Sequence, residues 1–188
     1  GLRVRTWVNG EIVQDDDTAE LVFPFGQLVA DLSQLMTLEA GAIILTGTPA
    51  GSSVAGPGDV IVVHAGLYKS DRLNYSDPLS LPFDGTYVLT AKGTVDRPIV
   101  IRAAGDGEPI FDGDGAHRLF DVMAADYHIF EGLTIRNTDI AFFAGMKDVG
   151  GGKGLTVRNC RLEDIGIGVT SLYAGSQDFY IADNVMIG

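Results

Sequence analysis

The sequence has a single cysteine, Cys160, and therefore cannot form a disulfide within the chain. It has no apolar run long enough to cross a membrane, and no basic and apolar leader follows Gly1, so we expect no membrane partner and no signal peptide. Basic residues are scarce, because 13 Lys and Arg stand against 25 Asp and Glu, which gives a net charge of −12. This charge argues against a nucleic-acid partner, which requires a basic surface.

Glycine and apolar residues are abundant. The chain has 25 glycines and 46% hydrophobic residues, a composition typical of a turn-rich globular protein. Its 188 residues are enough for one large domain or two small ones.

Residues 98–188 contain an internal repeat. Short apolar runs recur every 24 to 28 residues and end at Ile101, Ile129, Val157 and Ile181. Such self-similarity indicates stacked units, each too small to bury its own apolar face. Two short strands per unit, separated by Gly or Asn turns, predict a mainly β fold, a parallel β-helix of about four coils.

The start of the chain has a different pattern. Asn9-Gly10 between apolar pairs predicts a β-hairpin, because both turn positions favour a positive φ. Apolar residues spaced as on one helix face predict an amphipathic helix over 25–38. The three consecutive carboxylates at 15–17 lack spaced partners, and we expect them to be solvated. A small α+β segment with one amphipathic helix therefore precedes the repeat.

Residues 1–62 resemble the C-terminal part of the fumarylacetoacetate hydrolase family. The resemblance rests on motifs that occur in order, above all Val8-Asn9-Gly10-Glu11, Leu45-Thr46-Gly47-Thr48-Pro49-Ala50-Gly51 and Pro57-Gly58-Asp59. It implies a hydrolase or decarboxylase of 1,3-dicarbonyl or acylpyruvate-type compounds that uses Mg²⁺ or Mn²⁺. The Gly-Thr-Pro turn of the family lines the substrate pocket, so the resemblance implies that Thr48 contacts the substrate.

One family feature is missing. The resemblance implies metal ligands upstream of this stretch, including a Glu-x-Glu pair, and no Glu-x-Glu occurs in the chain. An enolate-type transition state would lose its main electrostatic stabiliser without that ion. We therefore expect the Mg²⁺ or Mn²⁺ site to be absent and residues 1–62 to supply only part of a pocket wall.

Residues 63–188 resemble a right-handed parallel β-helix protein of the pectate-lyase-like kind. The resemblance rests on the stretches 97–103 and 110–113 and on the repeat. Together the two resemblances imply that the chain is a chimera of two partial domains. These are an incomplete hydrolase-like segment, 1–62, and a bacterial-type β-helix, 63–188, which we expect to be truncated at its C-terminal end.

The second resemblance implies a carbohydrate-active ancestry. A lyase needs groups that neutralise a carboxylate and move protons, so the candidate catalytic residues are His128, Lys153 and Arg158. Tyr180 and Arg136 are candidate substrate-binding residues. When the repeat units are aligned with one another, His128, Thr156 and Tyr180 fall in one column that we expect to face outward. Ca²⁺ is a candidate cofactor, although turn formation explains Asp106, Asp112 and Asp114 better.

Three functions remain open from the sequence. The first is a carbohydrate-directed module, which is either an active polysaccharide lyase or a binding module. The second is a fumarylacetoacetate-type hydrolase or decarboxylase fragment that needs further residues. The third is a fused chain without a complete active site. The sequence favours the last as a description, with a lyase as the preferred activity if the chain is an enzyme. Candidate partners are an acidic polysaccharide and a second copy, bound at the open end of the β-helix. The location is secreted or periplasmic if the β-helix ancestry dominates, and cytoplasmic if the hydrolase ancestry does.

Overall fold

The computed structural model describes residues 3–9, 11–39, 55–69, 85–147 and 150–188. The chain divides into two compact units, Gly1–Val54 and Ala55–Gly188. The sequence places the boundary at 62/63. In the structure the strand Val60–Val63 is part of the second unit, because it pairs with the strand Ile99–Ala103.

The described residues of the first unit form a hairpin and a helix, as predicted. Strands β1 (Arg3–Val8) and β2 (Glu11–Asp17) pair antiparallel, and Asn9 between them has a φ of 52°. A short 3-10 turn, Thr18–Glu20, follows and is capped by the Asp17 side chain, which accepts a hydrogen bond from the Ala19 amide. Helix α1 (Phe25–Leu35) ends before the predicted 38 because Met36 has an extended backbone.

The second unit consists of strands. In chain order they are β3 (Val60–Val63), β4 (Gly66–Lys69), β5 (Gly85–Val88), β6 (Ile99–Ala103), β7 (Pro109–Asp121), β8 (His128–Glu131), β9 (Thr134–Phe143), β10 (Gly145–Met146), β11 (Gly150–Gly151), β12 (Thr156–Arg158), β13 (Arg161–Thr170), β14 (Tyr180–Ala182) and β15 (Val185–Ile187). β10 and β11 form a small antiparallel pair.

The remaining strands form two parallel sheets. A five-stranded sheet has the order β14-β12-β8-β6-β3, and a six-stranded sheet has the order β15-β13-β9-β7-β4, with β5 paired to the later part of β7. Parallel sheets are usually covered by other residues, so the strands that form them are rich in apolar side chains. Here the best-buried side chains include Phe130, Leu133, Ile135, Val157 and Leu162.

The predicted fold class, a right-handed parallel β-helix of about four coils after a small α+β segment, is wrong. The described residues give a mainly β chain with one α-helix and two parallel sheets of five and six strands, and they do not show a β-helix. The sequence predicts two short strands per unit, separated by Gly or Asn turns. In the structure, β7, β9 and β13 are 13, 10 and 10 residues long and continue through Asp114, Asn137 and Asp164, whose φ is near 50°.

The strand register also differs from the predicted repeat. Val157 pairs with Phe130, one residue beyond the predicted Ile129, whereas its pairing with Ile181 agrees with the repeat. A shift by one residue exchanges the two faces of a strand. Phe130 and His128 therefore point inward and are buried.

Leu162 tests the inward packing of the second unit. It is 0% exposed, so Leu162→Ala should lower the free energy of unfolding by about 2 to 5 kcal/mol, because a cavity replaces the side chain. Leu172 is 65% exposed, and the same change there should cost no more than about 0.5 kcal/mol. Urea unfolding followed by far-ultraviolet circular dichroism measures both, and equal losses would contradict this packing.

Candidate functional site

His128, a candidate catalytic residue, lies inside the second unit. Its exposed fraction is 2%, its Nδ1 lies 3.1 Å from the Asp126 carbonyl oxygen, and its ring stacks on Phe130. The predicted outward column of His128, Thr156 and Tyr180 is therefore wrong at His128, since Thr156 pairs with Ile129 instead. Burial lowers the pKa of His128, and the nearby Asp126 carbonyl and carboxylate oppose this shift without reversing it.

Lys153 and Arg158 have separate surroundings. The Lys153 side chain is exposed, and its backbone amide donates to Asp126 Oδ1 at 3.1 Å. Arg158 Nη2 donates to Glu131 Oε2 at 3.2 Å across neighbouring strands. In the part of the chain that the structure describes, no hydrogen bond or ion pair joins these two side chains to each other or to His128. His128 and Lys153 both contact Asp126, through its carbonyl oxygen and its carboxylate respectively, whereas Arg158 contacts Glu131.

The candidate substrate-binding residues are also dispersed. Tyr180 is exposed on β14 at the edge of the five-stranded sheet, whereas Arg136 lies on β9 within the six-stranded sheet. Thr48 lies outside the described residues.

Arg136 belongs to a polar network around Asp112. Arg136 Nε donates to Asp112 Oδ2 at 2.8 Å, the Asn137 amide nitrogen lies 3.1 Å from both carboxylate oxygens, and the Asp114 amide donates to Oδ1 at 2.9 Å. Burial disfavours the charged form of Asp112, but these donors together outweigh burial and place its pKa below the usual value. The network links β7 to β9, so its evident role is structural.

An open groove borders this network. Its volume is about 330 Å³, and it is lined by Asp114, Gly115, Asn137, Thr138, Asp139, Asp164 and Gly166. Asp and Asn suit the left-handed backbone that three of these positions adopt. Only a weak sequence signal points to the groove, because Asp114 is predicted to lie in a turn and no sequence pattern singles out Asp139 or Asp164.

The groove is acidic but does not form a metal site. Among the described residues, no group of three or more His, Cys, Asp or Glu side chains could hold a metal ion. Lys69 Nζ lies 2.9 Å from Asp114 Oδ1, and His117 Nδ1 lies 3.3 Å from Asp139 Oδ2. Two of its carboxylates thus already face cationic or titratable groups.

The first unit has a second group of carboxylates, on β2. Asp15 pairs with Arg3 and Arg5 across the hairpin, and its hydrogen bond with Arg3 is the main reason that its pKa is lowered. Asp16 accepts from the Asp17 amide at 2.9 Å, and Asp17 caps the 3-10 turn. These three carboxylates, which we expected to be solvated, serve local structure in the hairpin and its 3-10 turn.

The Asp112 network predicts a large loss of stability for Asp112→Asn. A neutral amide cannot match the charge of Arg136, so the free energy of unfolding should fall by about 2 kcal/mol. Asp139→Asn is the matched control, because the Asp139 side chain is 75% exposed and its loss should be within about 0.5 kcal/mol. Urea unfolding of both variants would contradict the role of Asp112 if the two losses were the same.

Burial of neutral His128 predicts a dependence of stability on pH. The unfolded chain takes up a proton on this residue near about pH 6.5, while the folded chain, with its lowered pKa, does so only at lower pH. The free energy of unfolding should therefore fall as the pH drops below about 6.5 towards the folded-state pKa. His128→Gln should weaken this fall, whereas His64→Gln, which changes an exposed ring, should keep it. Urea unfolding at several pH values tests this, and identical pH profiles for the two variants would exclude His128 as the cause.

No helix among the described residues is both long and apolar enough to span a membrane.

Comparison with known proteins supports one of the two resemblances. Residues 1–74 match the family model described as fumarylacetoacetate (FAA) hydrolase, C-terminal. An uncharacterized protein of Archaeoglobus fulgidus is 48% identical over 62 residues, which are 33% of this chain and 25% of that protein. The 4-hydroxyphenylacetate degradation bifunctional isomerase/decarboxylase of Escherichia coli is 52% identical over 62 residues, 33% of this chain and 14% of the enzyme.

A third relative is oxaloacetate tautomerase YisK of Bacillus subtilis, 50% identical over 50 residues, 27% of this chain and 17% of that protein. The chain thus spans between 14% and 25% of the length of these relatives. No solved structure matches the chain.

The comparisons overturn the pectate-lyase-like interpretation of residues 63–188. They give no support to a polysaccharide lyase, a polysaccharide ligand or a β-helix family, so the preference for a lyase among enzymes is unsupported. What they do establish is that residues 1–74 are similar to the C-terminal part of the fumarylacetoacetate hydrolase family.

Proposed function

We propose that residues 1–74 form part of an enzyme of the fumarylacetoacetate hydrolase type that acts on a small oxo acid by decarboxylation, hydrolysis or tautomerisation. The observation that carries the proposal is the identity of 48 to 52% over 62 residues with relatives that include a named isomerase/decarboxylase. The match to the family model over residues 1–74 supports it.

The named activities of the relatives share a chemical demand. Tautomerisation of oxaloacetate moves a proton on the carbon next to a carbonyl, and loss of CO₂ from a carboxylate β to a carbonyl releases the same kind of enolate. Both require groups that stabilise negative charge developing on oxygen. Asp15 and Asp17 are already engaged by Arg3, Arg5 and the 3-10 turn, so we expect any divalent ion that serves this purpose to be held by other residues.

Thr48 is the residue of this chain that we assign to substrate contact. It lies in the Gly-Thr-Pro turn, the motif on which the family resemblance depends most. A hydroxyl there can donate a hydrogen bond to a carboxylate or carbonyl oxygen of an oxo acid. Removing one such bond typically costs about 1 to 3 kcal/mol of binding free energy when the partner stays buried.

A segment exchange tests the proposal. Residues 1–62 of this chain would replace the matching 62-residue segment of the Escherichia coli isomerase/decarboxylase. We expect the hybrid to retain decarboxylase activity, because about half of the exchanged residues are unchanged. Thr48→Val in the hybrid should raise KM about ten-fold, the effect of losing one hydrogen bond.

The control for Thr48→Val is Thr37→Val in the same hybrid, which removes a hydroxyl outside the Gly-Thr-Pro turn. Circular dichroism and thermal unfolding establish that each hybrid is folded. A folded hybrid with no activity would overturn the proposed function. Equal KM values for the two threonine variants would overturn only the role of Thr48.

A further inference from the structure

Strands β3 and β4 belong to the family by sequence and to the second unit by packing. Both lie within residues 1–74, which match the family model, and both lie in the unit Ala55–Gly188. β3 pairs in parallel with β6, and β4 pairs in parallel with the first part of β7. β6 and β7 are outside the family match, so each parallel sheet combines a family-matched strand with strands that do not match the family.

β3 and β4 have few buried side chains. Each strand has four residues, and Val63 is the one buried residue among them. Ile61, Val62 and Leu67 are 40%, 44% and 58% exposed, whereas Ile101 on the neighbouring β6 is buried. Strands with few buried apolar contacts open at a lower free energy than the core, so polar contacts decide how firmly this pair is held.

The corner between β3 and β4 is held by one carboxylate. Asp106 lies in the corner between β6 and β7, outside the family match. Its Oδ2 lies 2.7 Å from His64 Nδ1, and its Oδ1 accepts a hydrogen bond from the Ala65 amide at 3.0 Å. One side chain thus contacts both residues that join β3 to β4.

These contacts favour the ionised form of Asp106. The hydrogen bond with His64 is the main reason that the pKa of Asp106 lies below its usual value, and the Ala65 amide acts in the same direction. An exposed ion pair contributes little by itself, but a charged carboxylate is also a stronger acceptor for a backbone amide. The pair of contacts therefore holds the corner more firmly than either contact would alone.

The ring of Tyr68 fixes the same corner from within β4. Its hydroxyl donates to the His64 carbonyl oxygen at 3.0 Å, and its ring stacks on Phe111 of β7 with the centroids 5.0 Å apart. The position of His64 is thus set both by its own strand pair and by the strands outside the family match.

Gly107 allows the two corners to approach each other. It has a φ of 148°, and a Cβ at this position would lie 2.7 Å from the Ala65 Cβ. Only glycine leaves room for the Ala65 amide to come within hydrogen-bond distance of Asp106.

We propose that Asp106 is a latch that fastens the β3–β4 pair to the second unit, and that the pair opens and closes as one element when the latch is released. The second unit thereby holds the last described part of the family-matched segment. This part includes the Pro57-Gly58-Asp59 turn before β3, whose Asp59 carbonyl oxygen accepts from the Val100 amide at 2.9 Å. The inference uses the family match alone and does not depend on the proposed function.

Hydrogen exchange of the full chain, followed by mass spectrometry, tests the latch. Asp106→Ala should raise the exchange rate of the amides in residues 60–69 at least about three-fold, because both contacts to the corner are lost. The rates in β9 and in the hairpin of β1 and β2 should not change. The Asp106 side chain is 50% exposed, so the variant should remain folded, which circular dichroism checks.

Asp96→Ala is the matched control, because it removes an exposed carboxylate from the turn before β6 instead of the corner after it. Equal exchange in residues 60–69 of the two variants would overturn the latch. An equal rise in β9 of Asp106→Ala would also overturn it, since the variant would then loosen the whole second unit.

The unmodified chain gives a second test, which does not require a variant to fold. The amides of β3 and β4 should exchange together and faster than those of β9, because the pair opens without the rest of the unit. Exchange of β3 and β4 at the rate of β9, or at two clearly different rates, would show that they do not open as one latched element.

Discussion

The second unit depends on the burial of aromatic side chains among its parallel strands. The rings of Phe120 and Phe142 lie 5.2 Å apart, those of Phe130 and Phe142 lie 4.7 Å apart, and Phe130 and Phe142 are fully buried. Parallel strands need such cover on their faces. Because side chains alternate along a strand, placing Phe130 inside also places His128 inside and turns Glu131 outward, where it pairs with Arg158.

The same packing also buries charged side chains. Arg118 is fully buried on β7, with its Nη1 at 2.9 Å from Asp121 Oδ2 and its guanidinium over the Phe143 ring. A buried ion pair rarely adds much net stability, but removing one partner leaves an uncompensated charge and is costly. The pair lies within β7, and it is the contact of Arg118 with Phe143 that joins β7 to β9. Nearer the surface, the ion pair of Asp112 with Arg136 joins the same two strands.

Local patterns in the sequence predicted local structure well. The Asn9-Gly10 pair predicted the hairpin, and the apolar spacing after Pro24 predicted α1. The repeat predicted that strands would recur, but apolar residues at both Ile129 and Phe130 left the inward residue of β8 undecided. Phe130 is the inward residue because its ring packs against Phe120 and Phe142, and this contact exists only in the folded core. The same ambiguity explains the wrong orientation expected for His128, which is buried rather than outward-facing.

The two units differ in how many of their apolar side chains they bury. The second unit buries more than a dozen of them in one cluster, whereas the described part of the first leaves Leu35 and Val22 more than four-fifths exposed. A segment of about 60 residues buries too small a share of its surface to be more than marginally stable alone. The carboxylates of its hairpin are bound to its own arginines and backbone, so its described residues offer scaffold rather than chemistry.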